Sequence, residues 1–387
     1  MKNLSSVVEN LGDSAVSTII SKAAAAGWKD TLHLAGGEPN FPLFPGLIEK
    51  LVNFNKNMIT KYSPFLGYEN LLNLIQLKLK LLNRIDTPLE EIIVVPGGSS
   101  ALFSSLSVVL NQGEEVLISN PCWEHYEKII KLAGGISKSF NLKYLNNRYE
   151  IDFQHLKHNI TDKTKVILLN TPLNPLGSVL SISEIKELID ICEKHNLWLI
   201  VDEEYETFVY DNNQHISIRS LYDQAITLFS FSKSFALTGI RLGYITAPKK
   251  IITLLKRFGL YTYMFSSSPS QCIAISLLED GSYVDYLLDV KKLYQDKMDF
   301  FFNLIKDIPN ITCWRPEGGV YLFPQLKTHE NNPADVLINK YHLLCVPGYV
   351  AGSCGNNHVR FFLGAEKEIL SSAAERLKTF MNENVSN

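Results

Sequence analysis

From about residue 68 to 250, short runs of β-branched and aliphatic residues alternate with segments whose apolar positions recur at helical spacing. The pattern predicts helix 68–83, strand 92–95, helix 99–110, strand 115–118, helix 123–133, strand 165–170, helix 182–195, strand 197–201 and strand 226–231. That alternation implies an α/β fold, a mostly parallel sheet sandwiched by helices.

After residue 268 the pattern changes to long amphipathic helices, notably 282–306. Short strands follow at 319–323, 344–346 and 358–362, then a last helix near 365–382, which together read as a smaller α+β unit. Near the start, a helix at 14–26 and the extended piece Leu32–Gly37 cannot bury their apolar side alone and are expected to pack on that unit. No linker, repeat or charge block divides the chain. The expected division is a large domain at 46–285 and a small domain made of 1–45, including an N-terminal arm, plus 286–387.

Composition narrows the function. Of 387 residues, 46% are apolar, which excludes disorder. Thirty-seven Lys+Arg against 40 Asp+Glu give a net charge of −3 with no dense basic block, so no nucleic acid is expected as a partner. The opening segment lacks the basic head and apolar stretch of a signal peptide, and no run approaches the roughly 18 apolar residues of a spanning helix; no membrane association is expected. Six cysteines at 122, 192, 272, 313, 345 and 354 form no C-x-x-C pair and read as reduced thiols of a cytoplasmic protein. The nine histidines show no ligand spacing; His155 and His158 lack a third ligand, and no metal is expected.

Ligands of an open parallel sheet bind beyond the carboxyl ends of its strands. The first such turn is Pro96-Gly97-Gly98-Ser99, opening into a helix whose free N–H groups suit an anion or merely form a cap. The second carries Trp123, either core or a flat surface for a planar heterocycle. The third, Asn170-Thr171-Pro172-Leu173-Asn174-Pro175-Leu176-Gly177, is rigid beyond what a turn needs. The fourth begins with Asp202 after an apolar run, a costly place for a carboxylate unless a cation meets it. In the fifth, Ser230-Phe231-Ser232-Lys233, the lysine is enclosed by apolar residues and becomes a Schiff-base candidate, and Arg241 offers a planar fork to phosphate.

The Ser-x-Ser-Lys run with Arg eight positions on, preceded by Asn-Pro-Leu-Gly at 174–177 and Asp-Glu-Glu-Tyr at 202–205, resembles the fold type I, class I/II aminotransferases of the aspartate/aromatic-type bacterial subgroup. The resemblance extends from Gly36-Gly37-Glu38-Pro39 to Val359-Arg360-Phe361. It implies pyridoxal 5′-phosphate (PLP) as cofactor, bound by the large domain. Lys233 then resembles the lysine that holds PLP and shuttles a proton. Asp202 resembles the partner of the pyridine nitrogen, Asn174 and Tyr205 the donors to the 3-hydroxyl oxygen, and Trp123 the stacked aromatic. Gly98, Ser99, Ser230 and Arg241 would hold the phosphate. Tyr62 resembles a tyrosine that reaches the neighbouring subunit's phosphate, which implies a homodimer. Arg360, with Gly37 and Asn174, would bind the substrate α-carboxylate.

The resemblance thus implies a ping-pong aminotransferase acting on an L-amino acid and a 2-oxo acid, with Lys233, Asp202 and Tyr205 as its catalytic groups. A lyase, decarboxylase, cyclase or oxidase uses the same residues. Aspartate-preferring members often carry Lys at the position of Ser99, so a neutral or aromatic substrate side chain is expected. Tyr68, Tyr261, Tyr263 and Phe265 offer an aromatic wall or a dimer interface. His33 and His125 read as structural, and Glu203 and Glu204 as groups outside direct contact with ligand.

Overall fold

The computed structural model describes residues 4–52, 58 and 60–384. Its centre is an eight-stranded sheet of β1 (Ile92–Val95), β2 (Glu115–Asn120), β3 (Ile136–Leu145), β4 (Arg148–Ile151), β5 (Thr164–Asn170), β6 (Trp198–Asp202), β7 (Ile226–Ser230) and β8 (Gly243–Thr246). Side by side the strands run β1-β8-β7-β6-β5-β2-β3-β4. Strands β3, β2, β5, β6 and β7 pair in parallel. Strand β8 is antiparallel to both β7 and β1, so β1 runs with the majority, and β4 closes the far edge antiparallel to β3.

The helices that bear on the site are α1 (Ala15–Ala26), α2 (Gly98–Val109), α3 (His125–Leu132), α4 (Ile182–His195), α5 (Lys249–Thr262), α6 (Tyr283–Ile305) and α7 (Lys367–Asn384). Successive strand residues point to opposite faces. Ile93, Val116, Val166 and Ile200 face α2 and α5, while Leu117, Ile167, Leu199 and Val201 face α4. Both faces are therefore covered, and β1, β2 and β7 are buried at every position. This is the α/β architecture that the element order predicts.

The N-terminal segment shares one core with the C-terminal elements. Ile19, Leu34 and Ala35 pack with Tyr294, Phe301, Phe361 and Phe380, and Leu32–His33 pairs in parallel with Leu343–Leu344. Among the described residues no helix is long and apolar enough to cross a membrane.

Several elements depart from the sequence expectation. The β3–β4 hairpin is absent from it because β3 lies near the edge of the sheet and buries only Phe140. Its turn residues Asn146 and Asn147 both have positive φ, the geometry that hairpin turns favour, and that pair was the available signal. Strand β8 follows Arg241 within two residues, and its apolar run is only Tyr244-Ile245, too little to stand out. Strand β7 stops at Ser230, where the chain turns into a short helix, Phe231–Ser234.

Helix α4 opens with a capping box between Ser181 and Glu184. The same Glu184 carboxylate accepts from Arg148 Nη2 at 2.8 Å and from the Ile151 backbone at 3.1 Å. Arg148 also meets Glu317 at 3.2 Å. One buried carboxylate thus ties the hairpin to α4 and, through arginine, to the C-terminal part. Replacing Glu184 by Ala leaves Arg148 without its most buried partner and is expected to cost about 3 kcal/mol, read as a lower urea midpoint. An unchanged midpoint would refute the tie.

Candidate active site

Strands β1, β2, β5, β6 and β7 all end on one edge, at Val95, Asn120, Asn170, Asp202 and Ser230. Above that edge lies a cavity of about 500 Å³ whose walls include Gly37, Trp123, Tyr205, Lys233 and Arg360. Five of the residues predicted from sequence therefore meet in one space. Helix α1 covers one side with Val16, Ser17, Ile20 and Ser21.

Asp202 accepts a hydrogen bond from the Tyr126 hydroxyl at 3.1 Å and one from the Glu204 backbone at 3.2 Å. Its enclosure, then the nearby Glu204 carboxylate, push its carboxyl up to about 7. Burial likewise raises the Tyr126 phenol well above its usual range, so it stays a donor. Trp123 packs edge-on against Tyr126, with ring centroids 5.4 Å apart.

Asn174 is fixed at the centre of a polar network. Its Nδ2 donates to the Tyr205 oxygen at 3.4 Å, and Arg360 Nη1 donates to its Oδ1 at 3.3 Å. The Tyr205 and Tyr321 hydroxyls lie 3.2 Å apart. The Arg360 guanidinium lies 4.3 Å from the Tyr321 ring centre, a cation–π contact that fixes its plane. Arg360 Nε is buried and has no partner among the described residues. One edge of the guanidinium is thus unsatisfied, an arrangement suited to a carboxylate.

Lys233 projects from the short helix Phe231–Ser234 and donates to the Gly37 carbonyl at 2.5 Å. A Cβ at residue 37 would lie 2.9 Å from the Tyr321 hydroxyl, so any larger residue there would displace Tyr321. Gly97 has φ +85, and a Cβ on it would lie 2.6 Å from Arg241 Nη2. The bare turn therefore lets the guanidinium sit directly on the backbone. Arg241 Nη1 donates to the Thr238 carbonyl at 2.8 Å. Gly98 opens α2, and the side chains of Ser230 and Glu204 converge on it.

Gly98, Asn174, Asp202, Ser230 and Arg241 stand next to the cavity rather than on its lining, and Ser99 and Tyr62 are exposed. Ser99 lies in the first turn of α2. Tyr62 is 77% exposed, its ring 4.4 Å from that of Phe265. The two glutamates after Asp202 have different fates. Glu203 is fully buried, where it pairs with His215 at 2.8 Å and accepts from Ser217 and Ile218. Glu204 instead lines the cavity, a correction to the expectation that both stand away from ligand. His125 also lines it and is held neutral by burial. Glu203, Glu206 and His215 have donor atoms within 4.8 Å of one another. Lys78 and Asn83 already occupy Glu206, so this is an ion-pair network. Sequence reasoning missed Tyr126 and Tyr321; the first lies one helical turn past Trp123, and nothing local marks the second.

A mostly parallel sheet whose carboxyl edge gathers lysine, carboxylate and arginine is the arrangement that the resemblance to PLP-dependent transferases implies. Residues 29–377 match the family model described as aminotransferase class I and II. The aspartate aminotransferase of Pyrococcus abyssi is 33% identical over 93% of this chain and 94% of its own. That of Bacillus subtilis is 31% identical over 94% of both. The crystal structure of an aromatic aminotransferase from Pyrococcus horikoshii superposes with a TM-score of 0.87 at 29% identity, covering 95% of this chain and 99% of that one. The chain belongs to the class I and II aminotransferases, a PLP-dependent family, and is an aminotransferase.

The raised Asp202 pKa has a measurable consequence. The folded-state value lies above the ordinary 3.8 of an unfolded aspartate. The folded chain therefore binds more protons between about 4 and about 7, and this group's contribution to stability falls as pH rises through that window. In cofactor-free protein, Asp202→Asn is expected to gain thermal stability relative to wild type between pH 5 and pH 8. An equal gap at both pH values would show that Asp202 carries no such shift.

Proposed function

We propose that the enzyme transfers the amino group of an L-amino acid with a neutral or aromatic side chain to a 2-oxo acid, in a ping-pong sequence, as a cytoplasmic homodimer. The observation that carries the substrate class is the charge of the cavity. Among the described residues lining it, Lys233 and Arg360 are the only cations. Arg360 takes the α-carboxylate, and no second cation awaits a distal one. Relatives are named for aspartate and for aromatic amino acids, and this charge pattern favours the second class.

The residues fit PLP. Lys233 would hold it covalently, Asp202 would meet the pyridine nitrogen, and Asn174 with Tyr205 would meet the 3-hydroxyl oxygen. Trp123 would stack on the ring, and Gly98, Ser99, Ser230 and Arg241 would take the phosphate. The exposed Tyr62 would reach the phosphate of a second copy. Three observations support the fit: the bare Gly97 turn under Arg241, the enclosed Asp202 carboxyl and the lysine across the cavity. When bound, the cofactor supplies an electron sink for the charge left at the substrate α-carbon.

The chain's own groups do the rest. Asp202 gains stability as an anion once a cation faces it. The Tyr205 phenol is held neutral by burial and the neighbouring Tyr321 hydroxyl, which keeps it a hydrogen-bond donor. Arg360 orients the substrate through its carboxylate, held in plane by Tyr321 and Asn174. Lys233 Nζ is the basic atom placed to take and return the α-proton. Helix α1 closes the side of the cavity with Val16 and Ile20, which limits water.

Single amino acids added to the purified protein should remove its near-visible absorbance, and pyruvate or 2-oxoglutarate should restore it. The kcat/KM for L-phenylalanine or L-leucine is expected to exceed that for L-aspartate by at least tenfold. Equal values would overturn the neutral-substrate reading, and release of carbon dioxide, ammonia or peroxide would favour a decarboxylase, lyase or oxidase. Arg360→Lys keeps the charge and loses the fork, so KM for every donor should rise roughly tenfold or more. An unchanged KM would remove Arg360 from the carboxylate site.

A further inference from the structure

We infer that Glu204 weakens the hold on the cofactor phosphate by presenting a carboxylate at the phosphate cup. This rests on the cup assigned above to Gly98, Ser99, Ser230 and Arg241.

Glu204 Oε1 lies 3.7 Å and its Cδ 4.0 Å from the position that a Cβ on Gly98 would take, and Ser230 Cβ lies 3.8 Å from the same point. The carboxylate therefore lies beside Gly98, a member of the cup at the N-terminus of α2, on the side that Ser230 also approaches. Free backbone N–H groups and the helix dipole make that terminus attractive to any anion. A carboxylate tethered there competes with an incoming phosphate for the same positive potential and repels it at short range.

The fold does not use this side chain. It makes no side-chain hydrogen bond or ion pair given for the described residues, whereas its neighbour Glu203 is fully satisfied by His215, Ser217 and Ile218. Arg241, the cup's cation, is directed to the Thr238 carbonyl and the Gly97 turn rather than to Glu204. No ion pair among the described residues meets this carboxylate, which also contributes to the raised Asp202 carboxyl.

The test compares wild type with Glu204→Gln, which keeps the shape and removes the charge, and with Glu204→Ala. Affinities of the full-length proteins for PLP and for pyridoxal, which lacks the phosphate, are read from quenching of tryptophan fluorescence. Both variants are expected to bind PLP about tenfold more tightly, a change of one decade in Kd, with pyridoxal affinity altered less than twofold. PLP affinity that is unchanged or weaker in folded Glu204→Gln overturns the inference while leaving the cofactor reading intact. An equal gain for pyridoxal also overturns it, because Glu204 would then act on the ring. Wild type and variants that all fail to bind PLP would sink the cofactor reading and the inference together.

Discussion

The strands β1, β2, β5, β6 and β7, which run the same way and end on one edge, impose one constraint from which the site follows. Both faces of the sheet are covered by helices, so the interior of each strand must be apolar. Polar chemistry is admitted only where the backbone leaves the sheet, and like-directed strands leave it on one edge. Asn170 and Asp202 are register partners across β5 and β6, and β7 pairs beside β6 and leads directly to Lys233. A carboxylate and an amine from separate turns are therefore neighbours because their strands are neighbours.

The enclosed carboxylate then sets conditions on its surroundings. An Asp202 carboxyl displaced towards neutral pH needs donors and, when charged, a cation. Tyr126 is the donor, and it in turn supports Trp123, so the aromatic wall and the carboxylate belong to one packed unit. The opposite side is organised around Arg360. Tyr321 fixes its plane and Asn174 occupies one nitrogen, leaving a buried nitrogen unpaired. A net charge of −3 conceals this separation of two arginines, Arg241 at the glycine turn and Arg360 at the far wall.

What the sequence revealed follows the same logic. Strands buried on both faces leave unbroken apolar runs, and Asp202 and Lys233 stand out as charges where such runs end, while Arg360 interrupts the apolar run Val359–Phe362. Strand β3, near the edge, carries no such signature, since a solvated strand tolerates Lys138, Lys143 and exposed Leu145 alike. Tyr321 meets Arg360 only because the strand Tyr321–Leu322 pairs with Val359–Phe362, a tertiary fact without local pattern. Glu203 and Glu204 illustrate the limit most sharply. Neighbouring residues leaving a strand take opposite directions, so one is buried against His215 and the other lines the cavity, and composition alone could not assign which.

The covering helix α1 adds the last step. Its first turn has no side-chain cap from Ser14; instead the Glu124 carboxylate accepts from Ser14 Oγ at 3.1 Å and from the Ala15 backbone at 3.4 Å. Lys128 of α3 donates to the Asp13 carbonyl at 2.9 Å. Glu124 lies between Trp123 and His125, both on the cavity wall, so the segment that presents the aromatic surface also anchors the helix that closes the site. Helix α1 and His125 therefore share the wall of one cavity with Trp123. Arg360, the residue proposed for the α-carboxylate, stands on a separate element, the strand Val359–Phe362. Ser17, Ile20 and Ser21 of α1 thus face the same cavity as Lys233 and Arg360, but from a different element of the chain.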